Sequence, residues 1–214
     1  MSEWLNKAKI NLFNSSIEKK NLQKAIKEWS VTENVIDYLE EVDSFEDFYA
    51  SCELCEHPNL RWHFEILNEF SNKSLWVGSK CILKFGIKLL DEYGSEYDLV
   101  EKEKKLNSLI SNKRKSIKDE KLLSVLRKLW TKDSDFRSYI EKTVKFFKKN
   151  NSFTAKQILT LDWRLSKNNI RYDKSLFKVR IRNHGEREQI YNLKDWQKRK
   201  LVEYLTHDQK DKYI

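Results

Sequence analysis

The chain has 214 residues, 39% of them hydrophobic and 13% aromatic, with a formal net charge of +9. This is enough apolar material for a real core in one or two domains, and no apolar run approaches the ~20 residues that a bilayer-spanning helix needs. One proline and four glycines leave little for the turns of a many-stranded β fold, so a mainly α protein is expected.

The opening stretch MSEWLNKAKINLF lacks the apolar core and small-residue cleavage site of a secretory signal, which predicts a cytoplasmic protein. Thiols stay reduced there. A closely spaced cysteine pair then binds metal or does redox chemistry more readily than it forms a structural disulfide.

The first 50 residues read as three short helices. In SSIEKKNLQKAIKEW, Ile17, Leu22, Ala25, Ile26 and Trp29 fall roughly on one face, and TENVIDYLEE opens with Thr32 as an N-cap. SFEDFYASCELC then leads into the pair Cys52 and Cys55. In LRWHFEILNEF, Leu60, Trp62, Phe64 and Ile66 alternate with Arg61, His63 and Glu65, the pattern of a half-buried strand. SNKS turns the chain and LWV returns it. Ser79 then caps a helix whose apolar side is Ile82, Leu83, Phe85, Leu89, Leu90 and Tyr93.

All three cysteines of the chain fall in this unit. Zinc takes four soft or borderline ligands in a tetrahedron, and a two-residue spacer presents Cys52 and Cys55 together on one turn. The hairpin then returns Cys81 to them, in the first turn of a helix, where the dipole favours the thiolate. His57 is the first choice for the fourth ligand and His63 the second, with a water or a non-standard ligand also open. Free, buried thiols are the plain alternative. A thioredoxin-type redox pair fits poorly, because a hairpin follows the motif here rather than a helix.

CELCEHPNLRWHFEILNEF followed by LWVGSKCILKF resembles a cysteine-knuckle and Val-Gly-Ser-x-Cys module of uncharacterised bacteriophage and mobile-element proteins. The resemblance covers Cys52 to Phe85. It implies a zinc-ribbon-like or treble-clef-like unit with Cys52, Cys55 and Cys81 as ligands, and no established activity. The chain departs from common knuckles at Glu56, where glycine is usual, and no second cysteine follows Cys81 in the helix.

GSEYDLVEKEKKLNSLISNKRKSIKDEK is highly charged, a long exposed helix or a linker, with Lys113, Arg114, Lys115 and Lys118 clustered. Phe136, Ile140, Val144 and Phe147 form one helical stripe, and Thr154 with Gln157 has capping-box spacing. In SLFKVRIRNHGEREQIYNL, Phe177, Val179 and Ile181 alternate with Lys178, Arg180 and Arg182, so a strand here presents three cations on its open face. NHGE would turn it into a second β-hairpin, in a layout like a winged helix. The same cations also suit a sheet edge that must not aggregate. Two C-terminal helices follow, the first carrying Lys198, Arg199 and Lys200.

The expected organisation is thus an acidic helical region over residues 1–95, holding a zinc-ribbon-like hairpin within about residues 50–93, and a basic helical domain over 96–214. Residues 1–100 carry 11 Lys and Arg against 18 Asp and Glu, a net −7, and residues 101–214 carry 31 against 15, a net +16. A domain that basic attracts a polyanion. The leading expectation is nucleic-acid binding, DNA or RNA, with zinc as scaffold and the basic half on phosphates. The runner-up is an inhibitor or adaptor of the anti-CRISPR or host-takeover type that docks on a host nucleoprotein complex.

Enzyme signatures are missing. With glycine only at 78, 86, 94 and 185, neither a phosphate-cradling P-loop nor a dinucleotide turn can be written, so no small-molecule cofactor is expected. The four histidines lack the partners of a zinc protease or deaminase.

Overall fold

The computed structural model describes residues 3–41 and 50–213; the stretch from Ser44 to Tyr49 of the lead-in to the cysteine pair lies outside them. The chain divides into two compact units, residues 1–117 and 118–214. The protein is mainly helical with one small antiparallel sheet, as its composition implied.

In the first unit α1 (Glu3–Ser15) and α2 (Leu22–Ile26) precede β1 (Trp29–Asp37), a short α3 (Tyr38–Glu41), β2 (Trp62–Asn68), β3 (Ser74–Val77) and α4 (Ser79–Phe85). The sheet order is β1-β2-β3, both pairs antiparallel. β2 and β3 form the expected hairpin, with Phe64 opposite Val77 and Ile66 opposite Leu75. Trp29, Phe64, Ile66 and Val77 of the sheet pack with Leu12, Ile26 and Ile82 in one core.

The helix expected over TENVIDYLEE is instead mostly strand. Trp29, Val31, Val35 and Asp37 share one parity, Val31, Thr32, Val35 and Ile36 are β-branched, and β2 supplies a partner edge, so tertiary pairing overrides the Thr32 cap signal. The register shifts between Val31 and Val35. Within that bulge Thr32 and Asn34 both bond the Glu65 carboxylate. α4 is also shorter than expected. Its N-cap is Gly78 rather than Ser79, and Gly86 ends it in the left-handed region at φ 63°, as a C-terminal glycine does. Ile87 and Leu89 still reach the core from extended backbone, whereas Tyr93 lies in solvent.

One buried carboxylate fastens this unit. Glu28 accepts the backbone N–H groups of Ile17 and Glu18, both at 2.7 Å, and the Asn68 side-chain amide at 2.9 Å. Burial alone would raise its pKa, but these donors outweigh it and hold the group below the usual carboxylate range. Glu28→Gln turns an NH2 toward one of those donors. We expect it to cost about 1–3 kcal/mol in urea unfolding.

α5 (Leu99–Lys132) is one continuous helix of 34 residues. Leu106 and Leu109 enter the first core, with Ile110 packed against it, and Leu122, Val125, Leu126 and Leu129 enter the second, while residues 111–121 are half-buried or exposed. Ile117 is the one apolar residue over 111–121, so this stretch has no apolar stripe to bury.

In the second unit α6 (Arg137–Asn150), α7 (Ala155–Lys167), α8 (His184–Tyr191), α9 (Asp195–Leu201) and α10 (His207–Tyr213) surround an aromatic-rich core. α7 begins with the expected Thr154–Gln157 capping box. The second β-hairpin, and with it the winged-helix layout, is not formed. Asn183 and Glu186 make a capping box of their own and start α8 where a turn was expected. The in-out alternation survives in extended backbone, with Phe177 and Val179 buried and Val179 bridging Phe153.

Candidate metal centre

Cys52 and Cys55 stand on a tight turn closed by the backbone. The Cys52 N–H donates to the His57 carbonyl at 2.9 Å and the Glu56 N–H to the Cys52 carbonyl at 2.7 Å. Glu56 sits at φ 59°, the left-handed conformation for which knuckles favour glycine. This glutamate is held by Asn11 and Lys7 of α1. Glu53 bonds Trp76 of β3 through both backbone and side chain, so the turn is stitched to the sheet.

Cys81 arrives from the other side in the first turn of α4. A Cβ on Gly78 would meet Leu60 at 3.0 Å. Glycine there lets the turn and the helix start approach closely.

The three thiol sulfurs converge. Cys81 Sγ lies 3.6 Å from Cys52 Sγ and 3.2 Å from Cys55 Sγ, and all three are within 4.8 Å of one another. A disulfide holds its sulfurs about 2.05 Å apart, and tetrahedral zinc with Zn–S of about 2.3 Å holds them about 3.8 Å apart. The observed separations lie nearer the second value. Cys52 and Cys81 are buried and Cys55 is half-buried. The three cysteines could therefore hold a metal ion.

The three thiols perturb one another. The hydrogen bond to Cys81 holds Cys52 down at about 5 even though burial opposes it. Cys81 is pushed up by that bond, by burial and by the Cys52 charge, and burial raises Cys55. A divalent cation among them would let all three ionise.

Neither histidine joins the sulfurs in this cluster of ligand atoms among the described residues. His63 is buried elsewhere: its Nε2 lies 3.1 Å from the Leu60 carbonyl oxygen, and its ring packs 4.5 Å from that of Tyr38. Burial lowers its pKa. His57 is exposed, on the rim of a cleft of about 470 Å3 that opens onto the three sulfurs. Arg61, Lys80 and Lys84 also line this cleft, and no carboxylate does among the described residues. The sequence reading missed Lys80 and Lys84, whose signal was their spacing of one residue before and three after Cys81 on α4.

The basic candidates divide by surroundings. Arg114 stacks on Trp62 at 5.0 Å, with Arg61 at 5.1 Å from the same ring. Lys113 is half-buried and Lys115 exposed on α5. Lys178 and Arg182 point to solvent, but Arg180 is held by Glu186 at 2.6 Å and by Asn150. On α9, Arg199 is exposed, Lys198 half-buried, and Lys200 pairs with the buried Asp162 at 3.3 Å.

Comparison with protein-family models, with curated proteins and with solved structures found no match to this chain. No helix among the described residues is long and apolar enough to cross a membrane.

Proposed function

We propose that the chain is a zinc protein that binds nucleic acid, with the metal structural and the basic second unit on the phosphates. The convergence of Cys52, Cys55 and Cys81 within 4.8 Å supports the metal. Thiolate-rich sets hold zinc in structural sites. Zinc bound there supplies a cross-link between the knuckle turn and α4, which neither short segment provides for itself. We assign the fourth position to His57, on the rim of the same cleft.

Charge supports the partner. Residues 118–214 carry 25 Lys and Arg against 13 Asp and Glu, a net +12, and residues 1–117 carry 17 against 20, a net −3. A surface that basic gathers phosphates and releases their counterions. Lys178, Arg182 and Arg199 are exposed and suited to that contact. Arg180 contributes by holding the turn before α8.

Fluorescence anisotropy of the full-length protein with labelled DNA and RNA across a salt series tests the partner. Affinity should fall steeply with salt, each neutralised phosphate adding roughly −0.7 to −0.9 to the log–log slope. Lys178→Glu with Arg182→Glu should weaken all sequences alike and flatten that slope. Arg180→Glu is unsuitable for this purpose, because it sets a carboxylate against Glu186 and loosens the fold. If neither nucleic acid binds at low salt, the reading passes to the adaptor that docks on a host nucleoprotein complex.

A further inference from the structure

Burial of Ile158, Leu161, Asp162 and Leu165 fixes the inner face of α7, which leaves Leu159 and Trp163 adjacent on its outer side. On α9, Leu201 points inward, and Trp196 and Lys200 share the outer side in the same i, i+4 relation. Both tryptophans are 53% exposed. They line one open groove of about 390 Å3, floored by Leu159 and Leu193, with Lys156 and Lys200 at its edge. No carboxylate lines it among the described residues.

Two cations of the same helix lie against the Trp163 ring. Arg164 lies 4.7 Å and Lys167 5.6 Å from its ring, and Arg164 is itself anchored to Asp133 at 3.2 Å. Two indoles left half in water beside one groove lose burial that a flat apolar partner would restore. A groove with aromatic walls and lysines at its edge matches a polymer that alternates flat bases with phosphates.

We propose that this groove binds a single strand of nucleic acid, its bases stacked on Trp163 and Trp196 and its phosphates on Lys156, while Lys200 stays paired with Asp162. The proposal rests on the reading of the second unit as nucleic-acid binding and gives that unit a preference for unpaired strands. Stacking acts on the π-face that every base has, so sequence preference is weak. Duplex bases are already stacked and cannot enter.

The test uses the full-length protein with labelled rU10 and dT10 and a duplex of mixed sequence. The single strands should bind more tightly than the duplex, and the ratio of rU10 to dT10 identifies the sugar preferred. Trp163→Ala with Trp196→Ala should lower single-strand affinity at least ~10-fold and leave the salt slope unchanged, since stacking releases no counterions. Trp163→Phe with Trp196→Phe should restore most of it. Lys156→Gln should instead reduce the slope.

A second measurement needs no variant. Ultraviolet cross-linking of the unaltered protein to 4-thiouridine RNA should place the adduct on Trp163 or Trp196. Unchanged single-strand binding in the double alanine variant, cross-links confined to other residues, or equal affinity for the duplex would overturn the groove and leave general nucleic-acid binding standing. Failure of any nucleic acid to bind at low salt removes both. Capture of a peptide partner in this groove with no effect of oligonucleotide also overturns the proposal.

Discussion

Cys81→Ser in the full-length protein is expected to abolish stoichiometric metal binding and to loosen the first unit. Elemental analysis of the unaltered protein should find about one zinc per chain, and the variant close to none. Cys81 is buried between Cys52 and Cys55, so its loss removes one candidate ligand and leaves the other two on a turn with nothing to close against. Structural zinc sites contribute apparent binding free energies of about 10–16 kcal/mol at neutral pH, which appear as folding free energy. A large part of that should be lost. The expected readout is faster amide exchange across residues 52–85, with little change across 137–201. A chelator on the unaltered protein should reproduce the pattern. His57→Ala should weaken metal binding by less than any cysteine change, since its ring is exposed. Metal-free protein whose three thiols all react freely, with exchange across 52–85 unaltered by the chelator, would remove the metal from this fold.

The cysteine unit was legible because spacing is a chain property. A two-residue spacer and a strand-turn-strand return bring three thiols together wherever the hairpin forms, and the alternation over 60–66 specified that hairpin. Register at β1 was harder. Trp29, Val31, Val35 and Asp37 keep one parity, but the bulge at Thr32–Asn34 interrupts the alternation and puts a cap-like threonine in the middle of a strand. In the C-terminal region Thr154–Gln157 and Asn183–Glu186 have the same capping-box spacing, but NHGE also has the composition of a turn, and the helix start wins there. Gly86 likewise stands where a helix C-terminus wants it.

What sequence could not supply was the fate of individual polar side chains. The chain has 33 Asp and Glu, and nothing local marks Glu28 and Asp162 as the ones that become buried and hydrogen-bonded. Arg180 looked like a free cation on a strand, and the fold instead gives it Glu186 as a partner. Trp163 and Trp196 read as ordinary helix residues. Their exposure beside one groove depends on how α7 meets α9, which no spacing within either helix encodes.

Asp162 carries the largest expected stability effect in the second unit. Its carboxylate, 6% exposed, accepts the Tyr172 hydroxyl at 2.5 Å, the Tyr204 hydroxyl at 2.6 Å and the Lys200 ammonium at 3.3 Å. Burial opposes ionisation, and these donors more than offset it, so its pKa lies below the usual carboxylate value. Asp162→Ala removes the acceptor that the Tyr172 and Tyr204 hydroxyls and an ammonium share, at an expected cost of about 3–5 kcal/mol. Asp162→Asn keeps an acceptor and should cost less. The pH dependence separates charge from packing. A depressed carboxylate stabilises the fold above its unfolded value of 3.8 and loses that contribution as pH falls through the folded value. Burial and the Asp162 charge push both tyrosines upward from 10.0, so their contribution is full below that pH and lost as pH rises above it. Urea unfolding of the unaltered protein should therefore weaken at both extremes. Asp162→Asn should flatten the acid limb, and Tyr172→Phe with Tyr204→Phe the alkaline one. Identical pH profiles for the unaltered protein and Asp162→Asn would mean that the carboxylate holds α7 by shape alone.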